Sequence, residues 1–331
     1  NPGEKCGLMA TGEFNLINTY FLSSSNRKDV VLGIGDDCAI VSVPEDKQLA
    51  MTTDTLIDGV HFPSGTSPED IACKAIAVNL SDLAAMGAEP AWLTLALSLP
   101  RADESWIKSF SDSFRKTAEK YHVQLIGGDT TQGPLSMTVQ AMGFVEPDNI
   151  MRRDGARPGD LIYVSGTLGD AAAGLRILQQ GQAVDANKAW LLNRLNRPQA
   201  RVELGLKASA YCKCAIDISD GLAADLGHVL EASNCGATVN IDSIPLSHQL
   251  VEYSINRNEV DWDMVLSGGD DYELCLVVNP EHEDRLMQTA SEISLALTRI
   301  GVIEQHTTLN IVDNTGAKYL PDRGGYEHFI K

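Results

Sequence analysis

No apolar run in the sequence approaches the roughly 20 residues needed to cross a bilayer, so no membrane span is expected. The start lacks a basic flank followed by an apolar stretch, and no secretory leader is expected there. Basic residues are scarce: 26 Lys and Arg stand against 45 Asp and Glu, a formal charge of −19. A surface that negative repels nucleic acid and anionic membrane, which argues against both as partners. The cysteines number seven, an odd count, and none forms C-x-x-C, a usage that fits a reducing cytoplasm. Cys38, Cys73, Cys235 and Cys275 sit in apolar stretches and are expected to be buried thiols. Familiar nucleotide signatures are missing too. There is no G-x-x-x-x-G-K-[ST], no H-R-D with D-F-G, and Gly33-x-Gly35 lacks the third glycine of a dinucleotide fold. Nor is there a local D-x-[DN]-x-[DN]-G loop, which disfavours a purely calcium-binding protein.

What remains is an ordinary globular composition, 44% hydrophobic and 21% charged, in a 331-residue chain long enough for two domains. Met9 reads as the natural start, with residues 1–8 a remnant or an upstream extension. The first half alternates strands and helices. Strands are expected at Val30–Leu32, Ala39–Val43, Leu49–Thr53, Trp92–Leu99, Val123–Ile126 and Met137–Val145. Ser67, Pro68 and Asp70 mark a helix start, and Gly87 with Pro90 its stop. A second helix over Asp103–Tyr121 carries Trp106, Phe110, Phe114 and Tyr121 on one face, a stripe read as core. Glu146 to Gly159 is rich in Pro, Asp, Asn and Gly and is placed as the boundary between domains 9–148 and 149–331. Beyond it, strands are expected at Leu161–Ser165, Thr238–Ile241, Tyr272–Val278, Thr298–Val302 and Leu309–Val312. Helices are expected at Asp170–Gln180, Lys188–Leu195 and Gln199–Ala210, and Ala215–Ser233 reads as strand, acidic turn, helix.

Aspartates collect at the ends of apolar runs, beside glycine or small hydroxyl residues. The segments are Gly35-Asp36-Asp37, Thr52-Thr53-Asp54, Asn79-Leu80-Ser81-Asp82, Gly127-Gly128-Asp129, Asp217-Ile218-Ser219-Asp220 and Gly269-Asp270-Asp271. Hard cations such as magnesium take oxygen ligands, commonly one or two carboxylates each with water and substrate phosphate. Strand ends of an α/β fold open onto one edge, so residues distant in sequence converge there. Taken singly, each aspartate has a competing reading as a turn or helix-cap residue. Asp82 is the sharpest case, because it sits in an apolar stretch at i, i−3 from Asn79, where a carboxylate without a partner is costly. A local cap by Ser81 is its rival explanation. Gly166-Thr167-Leu168-Gly169-Asp170 lies between a strand and a helix, either as a phosphate-receiving amide loop or as a plain tight turn. Arg153 is a candidate phosphate clamp, or an exposed surface arginine.

These motifs together resemble the thiamine-monophosphate kinases, of the superfamily that includes aminoimidazole ribonucleotide synthetase. GIGDDCA at 33–39, TTDTLIDGVHF at 52–62, NLSDLAAMGA at 79–88, IGGDTT at 126–131, AIDISDGL at 215–222 and GGDDYEL at 268–274 carry the resemblance. It implies a two-domain α/β (α+β) architecture of mixed sheets with flanking helices, and ATP-dependent conversion of thiamine monophosphate to thiamine diphosphate with several Mg2+ ions. It carries metal roles to Asp37, Thr52, Thr53, Asp54, Asp82, Asp129, Asp217 and Asp220. It places ATP near Gly128, Asp129, Arg153 and Ser219, and the thiamine substrate near His61, Asp270 and Tyr326. A homodimer paired through N-terminal domains is implied as well. The family pattern usually has glutamate where this chain has Asp270, so contact with the thiamine rings is direct, water-mediated or taken over by Asp271. A sibling enzyme using ATP to activate an amide or selenium compound is the alternative. It is disfavoured by His61, by the GGYEHF ending and by Cys6 lying in the extension.

Overall fold

The computed structural model describes residues 16–21, 27–255, 260–322 and 325. The first segments are a one-turn π-helix at Ile17–Phe21 and a small hairpin of β1 (Val30–Leu32) and β2 (Ile40–Val41). Then follow β3 (Gln48–Ile57), α1 (Pro68–Ala85), β4 (Glu89–Leu99), α2 (Glu104–Lys120), β5 (Gln124–Gln132) and β6 (Ser136–Val145). The four long strands form one sheet in the order β3-β6-β4-β5.

Local chemistry accounts for these helices. Ser67 Oγ accepts the Asp70 amide at 3.1 Å, as expected at the start of α1. The helix is apolar on nearly every face, the mark of a buried helix, and Gly87 at φ +70° turns the chain out after it. Asp103 caps α2 by accepting the Ser105 and Trp106 amides. Phe110 and Phe114 of the aromatic stripe are core, while Trp106 and Tyr121 are half-buried; Phe110 stacks on Trp106 at 5.2 Å and on Phe114 at 5.8 Å.

After two short 3₁₀ turns, at Pro147–Asn149 and Arg153–Gly155, the chain continues through β7 (Leu161–Ser165), α3 (Asp170–Gln179), α4 (Ala186–Asn196) and α5 (Val202–Ala208). Next are β8 (Cys214–Asp217), α6 (Leu222–Ser233), β9 (Gly236–Asn240), α7 (His248–Ile255) and α8 (Trp262–Ser267). The chain closes with β10 (Leu274–Val278), α9 (Glu283–Glu292), β11 (Leu297–Glu304), β12 (Leu309–Val312) and β13 (Lys318–Tyr319). These strands form a seven-stranded sheet, β13-β12-β9-β11-β7-β10-β8, antiparallel except where β12 runs parallel to β9.

Period-two alternation divides its side chains between two cores. Ile162, Val164, Cys214, Ile216, Cys275 and Val277 face one, packed with α3, α6 and α8. Leu161, Tyr163, Ala215, Leu274, Leu276 and Val278 face the other, packed with α5 and α9. Cys214, in β8, joins the first core, and Cys212, just before that strand, joins the second. Cys38 departs from expectation: it is exposed, because its flanking strands are only two or three residues long and build no core around it.

The chain divides into two compact units, each discontinuous in sequence. One comprises Asn1–Ser42, Thr53–Ile76 and Ala91–Gln140, and the other Val43–Thr52, Ala77–Pro90 and Ala141–Lys331.

Candidate active site

In the first unit, β5 runs parallel to β4 with a register slip after Leu93, so that Thr94 meets Gly127 and Leu95 meets Gly128. The slip is a bulge, a device that re-aims a strand beside a site. Gly128 has φ +155°, and a Cβ there would lie 1.9 Å from the Leu95 carbonyl oxygen, so no side chain fits. The next residue, Asp129, is exposed. A small open cleft adjoins both residues, with Ile17, Phe21, Ile34, Leu95 and Leu125 as apolar lining. Asp37 is exposed in the turn before β2, its amide donating to Asp36 Oδ1 at 2.9 Å. His61 accepts the Ile57 amide on Nδ1 at 3.1 Å, an arrangement that puts a neutral ring's proton on Nε2.

The run Thr52-Thr53-Asp54 lies in mid-β3, where alternate side chains point to opposite faces. Thr52 and Asp54 are half-buried and Thr53 is exposed. Thr53 therefore points its hydroxyl to the face opposite the one that Thr52 and Asp54 share.

In the second unit, Thr52 Oγ1 donates to Asp82 Oδ2 at 2.5 Å. Burial raises the Asp82 carboxyl above its ordinary range, against the hydrogen bond from Thr52 and the positive charge of Arg153. Arg153 itself is exposed, whereas its neighbour Arg152 makes two 2.8 Å bonds to Asp154. Ser81 lies buried well inside α1, so the local-cap reading of this segment fails.

Asp217 ends β8 and is buried. In the turn that follows, the amides of Ser219, Asp220 and Gly221 all donate to Asp225 Oδ2, at 3.0, 3.0 and 3.1 Å. A helix N-terminus of this kind ordinarily receives an anion. Here Asp225, on the first turn of α6, already supplies it, so the amides are engaged from within the chain. Burial pushes the Asp225 carboxyl up to about 7.

Opposite this turn is the segment 268–273. The Asp270 amide donates to the Ser219 carbonyl at 2.7 Å and the Tyr272 amide to the Ile218 carbonyl at 2.8 Å. Asp270 and Tyr272 are held at φ +65° and +50°, a conformation that aspartate tolerates better than most side chains. Asp271 is not available to take over from Asp270. It is buried, and its Oδ2 accepts the Gly169 amide at 2.8 Å. The phosphate-loop reading of 166–170 fails for the same reason: Gly166, Leu168 and Gly169 donate to Ala296, Pro245 and Asp271.

Burial pushes the Asp271 carboxyl up to about 8, with Asp170 and Glu273 adding to the rise and Gly169 and Arg194 opposing it. The folded protein then holds a proton that the unfolded chain releases near pH 4. This contribution to stability is complete below about pH 4 and disappears as pH rises toward 8. In urea titrations, Asp271→Asn should lose less stability than the parent between pH 5 and pH 8. An equal loss in both proteins would mean that Asp271 is ionised throughout.

The structure thus brings Thr52 to Asp82, and the Ser219 turn to the Asp270 segment. Among the described residues, no three His, Cys, Asp or Glu side chains converge closely enough to hold a metal ion. Tyr326 lies outside the described residues; Gly325 before it packs on Ala224 and the Asp220 carbonyl. Asp225 and Glu273 were missed in the sequence reading, although both sit within or beside the quoted motifs. Nothing in the sequence marks a carboxylate that turns inward to bind backbone amides or arginine.

The chain matches two families along its length: "AIR synthase related protein, N-terminal domain" over residues 35–145, and "AIR synthase related protein, C-terminal domain" over residues 157–314. It is 50% identical over 299 residues to thiamine-monophosphate kinase of Haemophilus influenzae, covering 90% of each chain. The crystal structure of thiamine-monophosphate kinase from Stenotrophomonas maltophilia superposes with a TM-score of 0.82 at 50% identity, covering 86% of this chain and 92% of that one. The structure of AaThiL complexed with AMPPCP and TMP superposes with a TM-score of 0.78 at 33% identity, covering 89% and 92%.

Proposed function

The chain belongs to the thiamine-monophosphate kinases of the AIR synthase related family, and we infer its reaction from that membership: ATP phosphorylates thiamine monophosphate, giving thiamine diphosphate and ADP. The observation that carries this reading is 50% identity to one such kinase across 90% of both chains. A relative complexed with AMPPCP and TMP supports the substrate pair.

The reaction needs no general base. A phosphate monoester has its second pKa near 6, so the acceptor is mostly dianionic at neutral pH and already nucleophilic. One of its oxygens attacks the γ-phosphorus in line, the bond to the β–γ bridging oxygen breaks, and ADP leaves with that electron pair. The apolar cleft beside Gly128 and Asp129 suits a nucleobase, and Arg153 and Ser219 are proposed as ATP contacts on the family resemblance. His61, Asp270 and Tyr326 are assigned to the thiamine moiety, with Asp270 supplying the negative charge that a cationic ring system attracts.

The donor set fits Mg2+: carboxylates and hydroxyls dominate it, and Asp82 is a carboxylate whose burial is costly without a cation. Asp37, Thr52, Asp54, Asp82, Asp129, Asp217 and Asp220 would hold the ions, with Thr53 contributing through its backbone. When bound, magnesium screens the anionic substrates from one another and from a protein of charge −19. A homodimer is proposed as well, supported by the exposed apolar residues Leu49, Met51 and Ile57 that alternate along edge strand β3. No helix among the described residues is long and apolar enough to cross a membrane, and a cytoplasmic location is proposed.

The test is incubation with thiamine monophosphate, ATP and magnesium, with products separated by chromatography. Thiamine diphosphate and ADP should appear in equal amounts, and removal of magnesium with EDTA should stop both. ADP without thiamine diphosphate would overturn the acceptor assignment, and undiminished turnover in EDTA would overturn the metal assignment.

A further inference from the structure

The segment that carries Asp270 rests on charged side chains for which the chemistry above has no use. Glu273, three residues on, is 0% exposed. Its Oε2 accepts Ser165 Oγ at 2.6 Å and Arg201 Nε at 2.6 Å; its Oε1 accepts Arg194 Nη2 at 2.9 Å and a second bond from Arg201. Ser165 Oγ in turn accepts the Leu274 amide at 2.9 Å. Arg194, buried on α4, does more than pair with Glu273. Its Nη2 also contacts the Asp271 carbonyl at 3.5 Å, and its Nε lies 3.7 Å from Asp170. One planar guanidinium thereby ties the 268–273 segment to the start of α3, while Arg201 grips the Glu273 carboxylate through Nε and Nη2.

This cluster is a poor choice for stability alone, since burying charges costs about as much as their mutual attraction returns. What it does provide is direction. Nη2 of Arg194 holds the Glu273 carboxylate and the Asp271 carbonyl on either side of Tyr272, and that segment holds Asp270 in a left-handed conformation against Ser219.

We propose that Arg194 is a positioning residue for the phosphate acceptor: by bridging Glu273 and the Asp271 carbonyl it sets the segment from which Asp270 engages the thiamine moiety. The proposal rests on the reading of Asp270 as a substrate-binding residue. Arg194 is buried and acts through the Asp270 segment, so its removal should weaken acceptor binding while leaving nucleotide use largely intact.

Arg194→Lys is the informative variant, because it keeps a charge beside Glu273 and Asp170 while its ammonium ends one bond short of the Nη2 that contacts both Glu273 and the Asp271 carbonyl. Its KM for thiamine monophosphate should rise on the order of tenfold, the scale seen when an outer-shell support is lost. Its KM for ATP should stay within about twofold and kcat within about threefold, the pattern of lost ground-state binding. Arg201→Lys, which disturbs the same carboxylate, should lower the midpoint of thermal unfolding but leave the acceptor KM near that of the parent. Three outcomes overturn the proposal: an unchanged acceptor KM in Arg194→Lys, a parallel rise of both KM values, or an equal acceptor KM rise in Arg201→Lys. Failure of the parent protein itself to make thiamine diphosphate would strike the functional reading instead, so the two are separable in one assay.

Discussion

Replacing Asp82 by asparagine should reduce phosphoryl transfer on the order of a thousandfold or more, the scale of several kcal/mol of cation-borne stabilisation, with the fold retained. The local geometry makes the variant clean. Asparagine is nearly the same size, and its carbonyl oxygen still accepts the Thr52 hydroxyl now bonded to Asp82 at 2.5 Å. What vanishes is the negative charge. Burial already works against that charge, and Arg153 and the Thr52 hydroxyl work for it. If the carboxylate were only structural, the neutral amide would be tolerated or even favoured, and turnover would persist. Turnover and the thermal unfolding midpoint, read on the same preparation, decide between these roles. Near-parental activity would remove Asp82 from the metal set.

Gly128→Ala should cost about 3 kcal/mol of stability or more, at the upper end of what overpacking does. The methyl would sit 1.9 Å from the Leu95 carbonyl oxygen, a backbone atom with no rotamer to yield. Relief would require β4 and β5 to part along the register that pairs Leu95 with Gly128. The same strands line the apolar cleft, so whatever protein still folds should bind an ATP analogue weakly. Denaturant titration measures the first effect and calorimetric titration with AMPPCP the second. A stability loss below about 1 kcal/mol would show that the two strands yield at this point.

Much of this protein was legible in its residues. The Ser67 cap, the aromatic stripe on α2 and the apolar runs of β7 and β10 are local patterns, and each gives the element that the pattern requires. The short helices α7 and α8, the polar helix α9 and the strand β13 were not anticipated. Helix α9 buries only Leu286, Thr289 and Ala290, too few apolar positions to show a stripe. Strand ends were read short where a site interrupts the apolar run: β5 continues through Gly127-Gly128-Asp129 to Gln132, since it is pairing with β4 and not composition that keeps it extended.

The division at the candidate site follows the same physics. By itself the sequence determined the family, the substrate pair and the set of acidic motifs, because identity is carried by residue type and spacing along the chain. Only the tertiary structure decided what each carboxylate faces. Asp270 and Asp271 are chemically alike and adjacent, yet one lies partly exposed against Ser219 and the other is buried on the Gly169 amide. Asp225 and Glu273 turn inward to backbone amides and arginines brought from up to 79 residues away. A carboxylate's role depends on the partner that repays its desolvation, and that partner is supplied by the fold.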